Sequence, residues 1–358
     1  MTRRKILILA PYPKGKAPSQ RFRFEQYLAF LENVGFQYEY HSFIDDKLWS
    51  LLYKKGRLHL KFLGFINSFF KRFLLMFRLR QFDFIFIHRE VAQIGPPFFE
   101  WLIAKIFKKP FIYDFDDAIW LPNYSASNAS FHRLKAYWKV KFIMKWADKI
   151  TAGNTYLKNY ARQYNGNILL LPTTIDTFNH HNKTIVYKKQ ELIRIGWTGT
   201  HTTMHYLNDL FPILDELYKK VKFKFLVISN EKPLHQAEYM EYVRWNKETE
   251  IEDLLKIDVG VMPLKKDKWS EGKCGFKGLQ YMSLGIPTIM SPVGVNLEII
   301  NHSENGFLCD NPNEWKSTIQ NLIEDHLLRE RIGLCGKNTV ENKYSVNANK
   351  AKFINLFS

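Results

Sequence analysis

Lys273 and Lys277 flank Gly275 in a stretch, 269–292, that reads Trp-Ser-Glu-Gly-Lys-Cys-Gly-Phe-Lys-Gly-Leu-Gln-Tyr-Met-Ser-Leu-Gly-Ile-Pro-Thr-Ile-Met-Ser-Pro. Two ammonium groups, a glycine loop and the amino end of a helix starting at Phe276 can all face one anion. The physical reason is that the first N–H groups of a helix lack partners and carry partial positive charge. A second group is Asp114, Asp116 and Asp117, at the end of an apolar run. Carboxylates there can hold substrate hydroxyls, position a nucleophile or bind a divalent metal, or they can simply cap a helix. A third is Thr198, Gly199, Thr200 and His201, just ahead of another helical pattern and so a second anion cradle. Cys274 reads as a small packing residue rather than a nucleophile.

These residues need elements to position them. Residues 258–263 form an apolar run ended by proline, which suits a buried parallel strand, and 287–291 reads as the next strand. Between them, 276–284 is long enough for about two and a half helical turns. The unit is strand, glycine loop, short helix, strand, and its loop lies at a strand's carboxyl end, where open α/β sheets bind ligands. The amino half opens similarly: a strand at 5–10, a loop, a helix from an N-cap at Ser19 to about 34, Gly35 as its stop, and a strand at 37–43. That loop has one glycine, Gly15, so the Gly-x-Gly-x-x-Gly dinucleotide fingerprint is absent. A strand at 82–87 ends in His88-Arg89-Glu90, a helix follows at 97–107, and the strand at 109–117 runs into the aspartates. Strand alternation turns Asp114 away from its neighbour and marks it as structural.

The first half closes with a strand at 148–152, a helix from about 155 and a strand at 167–171. Residues 172–190 are polar without periodicity and read as an interdomain linker. A second α/β series follows: strand 192–197, helix 204–219, strand 222–229, acidic helix 248–257, the 269–292 stretch, and helices at 312–325 and 346–356. The expected domains are 1–175, a linker at 176–190, 191–335, and a terminal helix at 336–358 packing back on the first domain. The default site is a deep cleft between two similar Rossmann-like domains.

Composition bounds the partners. The chain has 358 residues, enough for two domains, and a hydrophobic content of 46% with 29 Phe excludes disorder. A formal net charge of +17 implies a polyanionic neighbour: nucleic acid, an anionic lipid surface or a phosphorylated substrate. Three cysteines, Cys274, Cys309 and Cys335, give neither a disulfide framework nor zinc spacing, which fits a reducing cytosol. The first apolar run is too short for a signal peptide, and no stretch reaches the ~18–20 uncharged residues of a membrane span. The nearest candidate, 62–70, is bracketed by Lys61 and Lys71. From Lys54 to Arg80 there are eight Lys or Arg and no acid, interleaved with Leu and Phe. This reads as a pair of basic amphipathic helices able to lie on anionic headgroups, or as a surface helix with its apolar side on the core. A second basic helix at 131–146, with Arg133, Lys135, Lys139, Lys141 and Lys145, extends that face.

The chain resembles glycosyltransferase family 4 of the GT-B fold over nearly its whole length. The likeness rests on the opening strand with Pro-Ser-Gln-Arg-Phe-Arg, the Phe-Asp-Asp segment, Ile-Gly-Trp-Thr-Gly, and above all the run from Gln280, Gln-Tyr-Met-Ser-Leu-Gly-Ile-Pro-Thr-Ile. The last is similar to the family's Glu-Ala-Met-Ala-x-Gly-x-Pro-Val-Val. The run 293–298 is similar to its Gly-Gly-x-x-Glu, ending on Glu298. The resemblance implies an α/β GT-B fold and transfer of a sugar from a nucleotide-sugar (UDP-, GDP- or dTDP-linked), with retention and no obligatory metal. It implies donor contacts from Thr198, Gly199, His201, Glu271, Gly275, Phe276, Gln280 and Glu298, catalytic roles for Asp116, Lys273 and Lys277, and acceptor contacts from Arg21, Arg89 and Asp117.

The chain departs from the family pattern at three places. One usual glutamate slot falls on Gly272, with Glu271 beside it, and the other falls on Gln280. The amino-domain histidine slot falls on Asp116. The Arg and Lys that usually hold the diphosphate are replaced by Trp197 and a Thr/His-rich loop, which leaves that charge to Lys273 and Lys277. The expected function is therefore cell-surface polysaccharide synthesis (lipopolysaccharide O-antigen, capsule or exopolysaccharide) in a bacterium. The acceptor is a saccharide or polyprenyl-diphosphate-linked saccharide, and the place is the inner, anionic face of the cytoplasmic membrane. A GT-B protein that binds sugar nucleotide or scaffolds without catalysis is the alternative. Nucleic-acid binding is weaker, since no helix-turn-helix, zinc or aromatic RNA motif accompanies the charge. The sequence identifies no partner protein.

Overall fold

A computed structural model describes residues 4–52, 54, 56–122, 132–187 and 192–358. Its first sheet starts on Lys5–Ala10 (β1), whose run Ile6–Ala10 is buried on both faces as a central parallel strand requires. β2 (Gln37–Ser42), β3 (Phe84–His88), β4 (Ile112–Phe115), β5 (Lys149–Ala152) and β6 (Ile168–Leu170) complete a six-stranded parallel sheet in the order β2-β1-β3-β4-β5-β6. The second sheet contains β7 (Arg194–Gly199), β8 (Lys224–Ser229), β9 (Met240–Arg244), β10 (Val259–Met262), β11 (Thr288–Met290) and β12 (Phe307–Leu308). It too is parallel, ordered β12-β11-β10-β7-β8-β9. In each sheet the first strand has neighbours on both sides, so strand order reverses there and the loops after the two middle strands part to leave a crevice.

The chain divides into two compact units, Met1–Thr173 with Lys350–Ser358, and Thr174–Asn349. Helices of the first are α1 (Pro18–Arg21), α2 (Leu28–Asn33), α3 (Asp46–Leu52), α4 (Leu58–Met76), α5 (Phe98–Trp101), α6 (Lys139–Trp146) and α7 (Thr155–Ala161). Those of the second are α8 (Phe211–Tyr218), α9 (Glu250–Leu254), α10 (Lys268–Glu271), α11 (Phe276–Ser283), α12 (Asn296–Ile299), α13 (Pro312–Glu324) and α14 (His326–Thr339); α15 (Val346–Ile354) closes the chain. Phe353 of α15 stacks on Tyr27 at 4.6 Å between ring centroids, and Phe357 packs beside Phe86. In the second unit Trp197, Phe225, Tyr239, Ile289 and Trp315 fill one face of the sheet. Residues 174–187, within the stretch read as a linker, lie with this unit: Ile185 is buried and its N–H donates to the carbonyl of Leu284 at 2.8 Å. Residues 188–190 of that stretch, and Phe131 of the second basic helix, lie outside the described residues.

Several elements differ from the sequence reading, each for a physical reason. The expected helix from Ser19 begins instead at Pro18, after Ala17 as N-cap, and stops at Phe22, because Arg23 and Phe24 turn into the core. Residues 204–219 are not one helix. Pro212 has no N–H to give, so α8 opens around it and a 3-10 segment, His201–Leu207, precedes it. β7 extends two residues beyond its apolar run, because Thr198 and Gly199 still pair with Ile228 and Ser229. Among its described residues the 54–80 stretch holds one 19-residue α-helix, α4, rather than a pair. Sequence periodicity missed β9, whose exposed edge carries Glu241 and Arg244, and α14, whose apolar stripe is thin. No helix among the described residues is long and apolar enough to cross a membrane.

Candidate active site

At the crevice of the second sheet the loops after β7, β10 and β11 are tied together. After β10, Asp267 caps α10 by accepting the N–H of Ser270 at 2.7 Å, and the Ser270 hydroxyl meets Tyr206 of the 3-10 segment at 3.1 Å. The Ser291 hydroxyl accepts the N–H of Leu264 at 2.9 Å, joining the loops after β10 and β11. Gly294 (φ +55°) lies so close to α10 that a Cβ there would stand 2.7 Å from the carbonyl oxygen of Glu271. From α11, the Tyr281 hydroxyl accepts the N–H of Thr198 at 2.8 Å and fixes the end of β7.

Within this frame Gly275 adopts φ +67° and forms the left-handed N-cap of α11, with no side-chain cap. A Cβ at that position would also approach Ile299 to 2.3 Å, so glycine is required twice over. Lys273 and Lys277 flank it. The Lys273 ammonium lies 5.8 Å from the Tyr206 ring and 5.7 Å from Trp269, and that of Lys277 lies 5.6 Å from the buried Trp197 ring. Aromatic faces thus place both cations beside the amino end of α11, with Phe276 as its first residue. Behind Gly275, Asn296 donates to the Ser291 carbonyl at 2.9 Å while its own buried Oδ1 accepts nothing among the described residues.

The other expected donor contacts occupy distinct places. Thr198 and Gly199 end β7, and the half-buried Glu271 ends α10. Glu298, in the first turn of α12, is exposed. His201 turns towards the end of β8: its N–H donates to the Asn230 side chain at 2.8 Å, and Nδ1 accepts from the Asn230 amide at 2.9 Å. Gln280 is buried in a separate cluster, 3.4 Å from His181 Nε2 and 3.5 Å from Glu250 Oε1, where Trp245 Nε1 also donates to Glu250 at 3.3 Å. Cys274 is buried against the Gly272 carbonyl.

In the first unit the crevice after β3 and β4 carries a charged clamp. Arg89 takes φ +60°, a left-handed conformation that costs a non-glycine residue roughly 1–2 kcal/mol. It is held there because Nε donates to Asp116 Oδ1 at 2.7 Å and Nη2 to Asp117 Oδ2 at 2.5 Å. Burial works against the guanidinium charge, but the two carboxylates overcome it and raise its affinity for the proton. Arg21 lies on α1 with its guanidinium 4.9 Å from the Phe22 ring. Asp116, Asp117 and Arg89 are thus brought together; Asp114 is not part of that clamp.

Asp114 belongs instead to a buried network that sequence inspection could not assemble. Its carboxylate pairs with Arg23, accepts from His88 Nδ1 at 2.7 Å and from the Thr151 hydroxyl at 2.6 Å. Burial pushes this carboxyl up, yet Arg23 and His88 outweigh it and hold it well below the ordinary aspartate range. Beside it, Gln20 ties Tyr12 N–H (2.9 Å), the Tyr12 carbonyl (3.0 Å) and Glu25 (3.1 Å) into one knot. Burial raises the Glu25 carboxyl despite bonds from Gly15, Gln20 and Tyr40. The Pro-Ser-Gln-Arg-Phe-Arg run was a signal for these contacts, but partners up to 148 residues away were not. Among the described residues no group of three or more His, Cys, Asp or Glu is placed to hold a metal ion.

Comparison with known proteins bears on the fold and on the second unit. Residues 192–325 match the family model "Glycosyl transferases group 1". No curated protein shows significant sequence similarity to the chain. Among solved structures, sucrose-phosphate synthase from Thermosynechococcus elongatus superposes with a TM-score of 0.73 at 14% identity, over 99% of this chain and 98% of that one. A glycosyltransferase from Rickettsia africae gives 0.70 at 13% identity, over 100% and 98%. Anabaena HepE, solved in complex with UDP-glucose, gives 0.66 at 14% identity, over 98% and 99%. The chain has the GT-B fold of these glycosyltransferases, and its residues 192–325 are similar to group 1 glycosyltransferase domains.

Proposed function

We propose that the protein transfers a sugar from a nucleotide-sugar to a saccharide or polyprenyl-diphosphate-linked saccharide, with retention and without an obligatory metal. The carrying observation is the pair Lys273 and Lys277 around the left-handed Gly275 cap, inside the group 1 domain. When the bond from the anomeric carbon to the β-phosphate oxygen breaks, negative charge collects on the departing diphosphate. Fixed cations and helix amides aimed at that charge stabilise the transition state more than the ground state. Lys273 and Lys277 take this role, with the amides near Gly275 and Phe276. Thr198, Gly199, His201, Glu271 and Glu298 line the donor, and Gln280 marks its ribose end. Asp116 serves the reacting sugar, and Arg89, Asp117 and Arg21 hold the acceptor. HepE was solved with UDP-glucose, which makes UDP-sugars the first donors to try, with GDP- and dTDP-sugars after them. The setting is synthesis of a bacterial surface polysaccharide (O-antigen, capsule or exopolysaccharide) in the cytoplasm, at the anionic inner face of the membrane.

A specific observation favours one competing reading, a protein that binds sugar nucleotide without turning it over. Gly272 and Gln280 stand where two carboxylates are usual, and Gln280 is buried among His181 and Glu250. Release of nucleoside diphosphate from a panel of nucleotide-sugars separates the two. The expected outcome is release by the wild-type protein that falls about 10²–10³-fold in Lys277→Ala with an unchanged circular dichroism spectrum. Activity of that variant near wild type removes Lys277 from the mechanism, and no release from any donor favours the binding protein.

A further inference from the structure

Helix α4 carries apolar residues on both of its faces, more than one core-facing stripe needs. Its inner face packs Phe65 and Phe69 against Phe43 and buries Leu75 and Met76, and it also holds small and polar residues. Gly64 packs where a Cβ would meet Leu48 at 2.7 Å, and the Ser68 hydroxyl donates to the Gly64 carbonyl at 3.0 Å. The buried Arg72 donates to the carbonyls of Val91 (3.2 Å), Ala10 (3.1 Å) and His41 (2.9 Å). Its outer face carries Phe62, Leu63, Ile66, Phe70, Phe73 and Phe77, with Phe62 and Phe77 each 65% exposed. Arg72, held by three backbone carbonyls, and Phe65 and Phe69, packed on Phe43, fix that side inwards, so the phenylalanines on the opposite side face outwards. Lone exposed apolar residues are ordinary, but a row of them along a 19-residue helix marks a surface that something covers.

The surroundings of the row indicate what covers it. No acid occurs between Asp46 and Asp83, while Lys54, Arg57, Lys71, Arg78 and Arg80 border the apolar residues in a chain of net charge +17. Lys71 and Arg78 are steadied from the side by Asp45 (2.9 Å) and Glu39 (3.0 Å). α5 lies beside α4, with Phe69 and Phe99 stacked at 6.0 Å, and adds the exposed Phe98 and Trp101. A second copy seated on this face would set the same arginines and lysines against each other, which disfavours a symmetric dimer. An anionic bilayer complements both features, since phosphates meet the cations and acyl chains meet the rings.

We propose that α4 inserts its phenylalanine row into the headgroup–acyl boundary of an anionic bilayer, so that apolar burial and not charge alone holds the protein there. This rests on the membrane-surface reading above and sharpens it from adsorption to insertion. The test is co-sedimentation of the full chain with phosphatidylglycerol vesicles, against phosphatidylcholine vesicles. We expect binding to the anionic vesicles that weakens less than about tenfold in ~1 M salt, where the screening length is about 3 Å. We also expect at least tenfold weaker binding for the Phe62→Ser, Phe70→Ser, Phe73→Ser triple variant, and retention in the matching Phe→Leu variant. Absence of binding, complete loss in high salt, or triple-variant binding equal to wild type overturns insertion. A dimer in sedimentation velocity that the triple variant dissolves also overturns it, in favour of a second copy. Nucleoside diphosphate release, measured without vesicles on the same preparations, reports separately on the donor chemistry.

Discussion

Asp114 and Asp116 stand two positions apart at the end of one strand and do different work. Asp114 is sealed in the core by Arg23, His88 and Thr151, whereas Asp116 reaches the crevice and meets Arg89. Removing the Asp114 charge leaves the Arg23 guanidinium buried without its counter-ion. Asp114→Asn is accordingly expected to destabilise the first unit by about 3–5 kcal/mol in urea unfolding. A loss under 1 kcal/mol would show that Arg23 finds other partners. The pH dependence has a definite sign. Because the folded carboxyl is held below its unfolded value of about 3.9, its stabilisation is complete above that pH and disappears as the pH falls towards the folded value. Wild type should therefore lose stability below about pH 4 more steeply than Asp114→Asn. Strand alternation sets Asp114 apart from its immediate neighbour but not from Asp116, which is two positions on and shares its face; the buried partners make that distinction. The Asp114 partner Arg23, 91 residues away, was not legible, because burial and fold bring them together and no local pattern does.

At the scale of elements, α11 is the piece that ties the donor loops to the sheet. Its glycine start fixes the lysines, and Tyr281, about one and a half turns further on, accepts the Thr198 N–H at the end of β7. In Tyr281→Phe that buried N–H loses its acceptor, which should cost about 1–3 kcal/mol and lower the urea midpoint of the second unit. An unchanged midpoint would mean that water replaces the hydroxyl. The strand–loop–helix–strand unit around α11 was readable in the sequence because apolar runs, glycine and proline punctuate it sharply. The neighbouring β7–α8 connection was less so. β7 continues by backbone pairing through Thr198 and Gly199, which carry no apolar signal, and Pro212 splits what periodicity alone reads as one helix. α4 shows the same limit from the other side. Its Lys, Arg and Phe content was plain, but which phenylalanines point inwards was not, since the packing of Phe65 and Phe69 on Phe43 and the three carbonyls that bind Arg72 are all distant in sequence.

For the whole molecule, two parallel six-stranded sheets in the GT-B arrangement place the group 1 domain and its lysine loop in the second unit, and the Arg89–Asp116–Asp117 clamp in the first. The fold class was visible in the two successive α/β series. Donor, acceptor and linkage were not, since they depend on side-chain shape at crevices that no spacing rule encodes. The central claim is that the Lys273–Gly275–Lys277 loop binds the diphosphate of a nucleotide-sugar. The most direct measurement is the thermal unfolding midpoint of the purified chain and of a Lys273→Ala, Lys277→Ala variant against UDP-, GDP- and dTDP-sugars. A ligand at 100 times its dissociation constant adds about 2.7 kcal/mol to the folded state. That corresponds to a rise of several degrees for a unit of this size. The account predicts such a rise for at least one donor in the wild type and its loss in the variant. No rise with any nucleotide-sugar, or an equal rise in the variant, would contradict it.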